Sequence, residues 1–121
     1  MRRPFLLFHW SPKARRAGIL RHGLCPGKAS ATNEWRAPHV CYCKYPSSAW
    51  ALSATHSRRK GSWDLWCTWS DYVGKYTTCN GAKDARASWW LTEYRSTVRV
   101  PTRRLWLVGT RVFDPKRRRL R

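Results

Sequence analysis

The stretch Trp63-Asp64-Leu65-Trp66-Cys67-Thr68-Trp69-Ser70 alternates. Trp63, Leu65, Cys67 and Trp69 share one parity; Asp64, Trp66, Thr68 and Ser70 share the other. Successive side chains of a strand point to opposite faces. The stretch therefore predicts a strand with Trp63 and Trp69 in the core and Trp66 on a wetter face. Downstream, Gly74, Asn80-Gly81 and Lys83-Asp84 are turn signals. Residues 88–100 are rich in strand formers (Trp89, Trp90, Tyr94, Thr97, Val98, Val100) until Pro101-Thr102 breaks the run. Residues 105–113 then predict a last strand.

Upstream, Phe5-Leu6-Leu7-Phe8-His9-Trp10 is a short apolar run that predicts a buried strand. Ser11-Pro12 looks like a helix start, with a hydroxyl N-cap and proline at the first helical position. That helix is expected to reach Arg21 or His22, bury Ala14, Ala17, Ile19 and Leu20, and end at Gly23 with Leu24 closing over it. Residues 25–38 predict a long loop, 38–43 a strand, 46–52 a short helix and 53–62 a polar basic loop. The order is α+β, weighted to antiparallel sheet, with about two short helices.

The chain has 121 residues, with 25 Lys plus Arg against 6 Asp plus Glu and a formal charge of +19. That length suits one small domain, expected over residues 1–115 with a basic tail at 116–121. Nine Trp and 42% hydrophobic residues exclude a disordered basic chain. No apolar run approaches the ~20 residues of a membrane span. The apolar stretch after Arg2-Arg3 ends at His9, short for a secretory signal. A cytoplasmic protein is expected. The five Cys (25, 41, 43, 67, 79) are odd in number, and Cys41-x-Cys43 is too tight for a C-x2-C zinc knuckle. Reduced thiols and no metal are expected.

Most of the cations can find no acidic partner within the chain. Nucleic acid is the expected partner and an acidic protein the next, while an arginine-rich, high-GC genome is the bland alternative. Candidate phosphate contacts are Arg15, Arg16, Arg58, Arg59, Lys60, Arg103, Arg104, Arg117 and Arg118.

Three pieces carry the chemistry. The first is Leu7-Phe8-His9-Trp10-Ser11 with Ile19-Leu20-Arg21-His22-Gly23-Leu24. The second is Val40-Cys41-Tyr42-Cys43-Lys44-Tyr45-Pro46. The third is Thr92-Glu93-Tyr94-Arg95, running on to Val100-Pro101. In order and spacing they resemble the ADP-ribosyltransferase fold superfamily, which includes tRNA 2′-phosphotransferase. The resemblance covers roughly residues 5–112. It implies a split antiparallel β-sheet and NAD as the bound dinucleotide. It makes His9 a ribose-binding residue and Ser11 the hydroxyl that supports that strand end. Trp10, Cys41 and Tyr42 would line the cofactor groove, and Glu93 would stabilise the cation formed as nicotinamide leaves. His9 and Glu93 are thus the candidate catalytic pair. Trp10 stands where the family often has Gly. By the count back from Pro46, Cys41 takes the position of the family's stacking aromatic. Leu91 replaces the second acid of arginine-modifying members. The expected activity is NAD-dependent ADP-ribosyl transfer to nucleic acid or to a nucleic-acid-associated target. The alternatives are a noncatalytic nucleic-acid-binding module on the same fold, or a protein that blocks an acidic partner.

Overall fold

The computed structural model describes residues 3–26, 39–53, 61–80 and 92–113. Among these residues, two antiparallel sheets of three strands form an α+β architecture with two short helices. The first sheet has the order β1 (Leu6–Pro12), β3 (Gly61–Trp69), β6 (Trp106–Phe113). The second has the order β2 (Val40–Tyr42), β5 (Thr92–Ser96), β4 (Tyr76–Asn80). The sheets meet at one antiparallel bridge. There Phe8 N–H donates to the Cys43 carbonyl at 2.8 Å, and Cys43 N–H donates to the Phe8 carbonyl at 3.0 Å. Beyond that bridge β1 and β2 part, so the six strands form a split array.

The register of β1 on β3 pairs Leu7 with Thr68, His9 with Trp66 and Ser11 with Asp64. Directly opposed residues of an antiparallel pair share a face. Leu7, Ser11, Asp64, Trp66 and Thr68 are buried on that face. This corrects the expectation for the tryptophans: Trp66 is 2% exposed, whereas Trp69 is 36% exposed. Asp64 and Thr68 gave this parity a wet look, but both find internal partners. Asp64 takes Arg16 and Thr110, and the Thr68 hydroxyl donates to the Arg104 carbonyl at 2.8 Å. A polar group with its hydrogen bonds met costs little to bury. The face is therefore free to turn inward with Trp66. The other face of β3 carries the buried Leu65 and Cys67 and the half-buried Trp63.

The main core joins both sheets: Leu7, Val40, Tyr42, Trp66, Val73 and Val100, with Ile19, Leu24 and Leu105. Phe5 and Tyr76 extend it against Tyr94 through ring contacts at 5.6 and 5.3 Å. Strand β6 leaves Trp106, Leu107, Val108 and Val112 exposed.

Ser11 does not cap a helix. Strand β1 runs on through Pro12, a 3-10 turn spans Lys13–Arg15, and α1 is Arg16–His22 with no side-chain cap. Pro12 has ψ 139°, an extended value its ring permits, and at a strand end its missing N–H removes no interior rung. Of the four apolar positions expected inside, only Ile19 is buried, and Leu20 is 52% exposed. The helix end is as the sequence reads. Gly23 has φ +80°, and its N–H donates to the Ile19 carbonyl at 2.7 Å. Leu24 then bridges Val100. The second helix, α2, is Pro46–Ser53. Expected features at 27–38, 54–60, 81–91 and 114–121 lie outside the described residues. These include Trp89, Trp90 and the tail. No helix among the described residues is long and apolar enough to cross a membrane.

Candidate functional site

The split between β1 and β2 opens just past the Phe8–Cys43 bridge, and His9 stands on its first step. Its Nδ1 lies 2.8 Å from the Cys41 carbonyl, a bond that requires the proton on Nδ1. A side chain thus ties the strands where backbone pairing has stopped. The His9 ring also leans on Tyr42, with centroids 5.9 Å apart.

Strand β2 then sorts its residues by parity. Tyr42 turns into the core and is 1% exposed, and its buried hydroxyl has no partner among the described residues. Burial raises its ionisation far above the usual tyrosine range. Cys41 turns the other way. The register sets Cys41 opposite Arg95, with Glu93 two residues along β5 on the same face. The Cys41 thiol and the Glu93 carboxylate lie within 4.8 Å of each other, and desolvation, with that carboxylate, pushes the thiol far above its ordinary ionisation range. Arg95 Nε donates to Glu93 Oε1 at 2.6 Å, and the Glu93 side chain is 14% exposed.

Cys41 is therefore the meeting point. Its carbonyl accepts a hydrogen bond from His9 Nδ1 and its thiol lies beside the Glu93 carboxylate, so the three motifs, on three strands, come together around one residue. His9 and Glu93 approach Cys41 from different sides, His9 beside Tyr42 and Glu93 beside Arg95.

The remaining candidates divide clearly. Ser11 is buried on the His9 face, suited to supporting the strand end. Trp10 points away from His9, toward α2. Its Nε1–H donates to the Pro46 carbonyl at 3.0 Å, and its ring meets Trp50 edge-on at 4.8 Å. Strand alternation dictates this, and it removes Trp10 as a wall of a groove at His9. Tyr42 is removed as a stacking platform by its burial. For a dinucleotide, then, the imidazole and the carboxylate are polar groups that suit ribose hydroxyls, while the expected aromatic platform is not formed by Trp10, Cys41 or Tyr42.

Arg16, a candidate phosphate contact, is engaged within the chain. It pairs bidentately with Asp64, Nε to Oδ2 at 2.8 Å and Nη2 to Oδ1 at 2.6 Å, and Nη2 also donates to the Thr110 hydroxyl at 2.9 Å. The Arg16 bond holds the Asp64 carboxyl below the usual carboxylate range, against a burial that acts the other way. Arg15 is exposed. Arg103 and Arg104 are exposed on a 3-10 turn, Thr102–Arg104. The Thr102 hydroxyl docks that turn on the end of α1, within 2.8 Å of the Ile19 carbonyl. Arg99 Nη1 donates to the His22 carbonyl at 2.8 Å at the same helix end. The fold thus brings Arg21, Arg99 and Arg103 to one end of the domain, which the sequence showed only as separate basic positions. Arg104 lies over the Tyr72 ring at 4.7 Å. Arg58, Arg59, Lys60, Arg117 and Arg118 lie outside the described residues.

Sequence reasoning passed over His39. It sits two residues before Cys41 on the same parity, and its ring, the Cys41 thiol and the Glu93 carboxylate place one ligand atom each within 4.8 Å of one another. The signal was present as His39-x-Cys41, but it needed Glu93 from a distant strand to become a cluster. Cys25, Cys41, Cys43 and Cys67 are free thiols, and burial pushes the Cys43 thiol up to about 12. Comparison with protein-family models and with curated proteins gives no match to the chain.

Proposed function

We propose that the chain is an NAD-dependent ADP-ribosyltransferase-like enzyme acting on nucleic acid or a nucleic-acid-associated target. The observation that carries the reading is the convergence at Cys41. His9 of β1 bonds the carbonyl of this β2 residue, and Glu93 of β5, far away in sequence, lies beside its thiol from the other side, next to the split between the sheets. The three strands are those that bear the three resembling motifs. NAD, when bound, supplies the ADP-ribosyl group and nicotinamide as the leaving group.

The residues suit that chemistry. Loss of nicotinamide places positive charge on the ribose. The Glu93 carboxylate stabilises that charge more in the transition state than in the ground state, and it accepts a bond from a ribose hydroxyl. Arg95 fixes the carboxylate by its bond to Oε1. His9, held by the Cys41 carbonyl, places an imidazole, a group suited to ribose hydroxyls, beside the split. Basic residues at the α1 end and elsewhere raise the local concentration of a polyanionic acceptor. The test is nicotinamide release from NAD. The wild-type chain releases nicotinamide in the presence of nucleic acid. Glu93→Gln releases at least about a hundredfold less, the scale of removing one transition-state interaction. Full activity in that variant overturns the reading.

A second reading is favoured by two specific observations: Glu93 is already paired with Arg95, and Tyr42 is buried. On this reading the fold is a noncatalytic polyanion-binding module. It binds nucleic acid with steep salt dependence and releases no nicotinamide with any acceptor.

A further inference from the structure

We propose that His39, Cys41 and Glu93 form a binding site for a zinc-class divalent cation on the outer face of the second sheet. The sheet register builds most of the site. Glu93 stands on the same face of β5 as Arg95, one diagonal step from Cys41 of β2, and His39, just before β2, completes the group. Their ligand atoms lie within 4.8 Å of one another. A tetrahedral zinc ion with bonds of about 2.0–2.3 Å needs its ligands closer than that. The contraction is on the order of 1 Å, within the reach of rotating side chains on a fixed backbone.

The donor set selects the metal. Imidazole nitrogen, thiolate sulfur and carboxylate oxygen together suit zinc and its neighbours, whereas calcium and magnesium take oxygen ligands. Three protein ligands leave a fourth position open. An open cavity of about 620 Å³ reaches His39 and Arg95 beside the cluster. Arg95 supplies the outer support such sites use. Its bond to Oε1 orients the carboxylate. Strand β4 brings Cys79 to the ladder position opposite Glu93.

The site does not rest on the NAD reading. If both hold, they compete for Glu93, and a loaded cation makes the chain inactive toward NAD.

The test is a cobalt(II) titration of the full, reduced, chelator-treated chain, followed by absorption. One equivalent is expected to give a thiolate-to-cobalt charge-transfer band with tetrahedral ligand-field bands, displaced by zinc. Cys41→Ser is expected to lose the charge-transfer band. His39→Ala is expected to weaken binding by at least about tenfold, the floor set by losing even an outer partner. His39 is half-buried outside the main core, so this variant keeps its fold, and circular dichroism checks that. No band in the wild-type chain overturns the proposal, as does a band of unchanged affinity in Cys41→Ser or in His39→Ala.

Discussion

Arg16 meets Asp64 through two parallel hydrogen bonds, 2.8 and 2.6 Å long, at a carboxylate with no exposed surface. The pair joins the start of α1 to the middle of β3, and the Thr110 hydroxyl, 2.7 Å from Asp64 Oδ1, adds β6. A basic residue that looked available for phosphate is in fact the partner of a buried acid.

The Asp64 carboxyl is held below its ordinary range, chiefly by the Arg16 bond. Its contribution to stability is therefore present above the unfolded value, about 3.9, and is lost as pH falls through the lower folded value. Chemical denaturation from pH 7 down to pH 2 is expected to show an acid limb beginning near pH 4. In Arg16→Ala the opposing effect of burial is left, so that limb flattens and stability at pH 7 falls. An acid limb identical in the two proteins contradicts the assignment.

Trp66 and Trp69 test the packing of β3. Trp66→Ala is expected to cost about 3–5 kcal/mol, the range for emptying a buried aromatic site. Trp69→Ala, at 36% exposure, is expected to cost under about 1 kcal/mol. Urea unfolding of both variants decides, and equal losses would return Trp69 to the core.

Gly23→Ala is expected to destabilise the chain by more than about 1 kcal/mol, because φ is positive there and the native conformation excludes a side chain. An added Cβ would also lie 2.0 Å from the Val100 carbonyl oxygen, so the Leu24–Val100 bridge must open. A thermal midpoint within a degree of wild type would contradict this geometry.

The strands were legible where alternation or a β-branched run spelled them out, as in β3 and β6, and so was the glycine stop after α1. The start of α1 was not. Ser11-Pro12 reads locally as a cap, but Ser11 is drawn into the ladder opposite Asp64 by a strand more than fifty residues away. The face of β3 was misread for the same reason. Asp64 looks wet until Arg16 and Thr110 are known to meet it. Within the site, His9, Cys41 and Glu93 are visible as motifs. The His39 cluster, the anchoring of Trp10 on Pro46 and the capture of Arg16 are all products of long-range pairing, which no local pattern records.

The cations at the end of α1 give a prediction about partners. Replacing Arg103 and Arg104 together by Gln is expected to weaken nucleic-acid binding and to lower the slope of log affinity against log salt by up to ~2, about 0.9 for each phosphate that is no longer neutralised. Binding curves at several salt concentrations read this directly. Arg16→Gln is expected to leave the slope unchanged. If Arg16→Gln lowers the slope and the double variant does not, the two sets of residues have been assigned the wrong way round.

NAD binding at the split between the sheets is tested most directly by saturation-transfer NMR of NAD with the wild-type chain and with His9→Ala. Transfer to the ribose protons is expected in the wild-type chain and is expected to fall sharply in the variant. No transfer to NAD in the folded wild-type chain would contradict the proposed activity and leave the polyanion-binding reading.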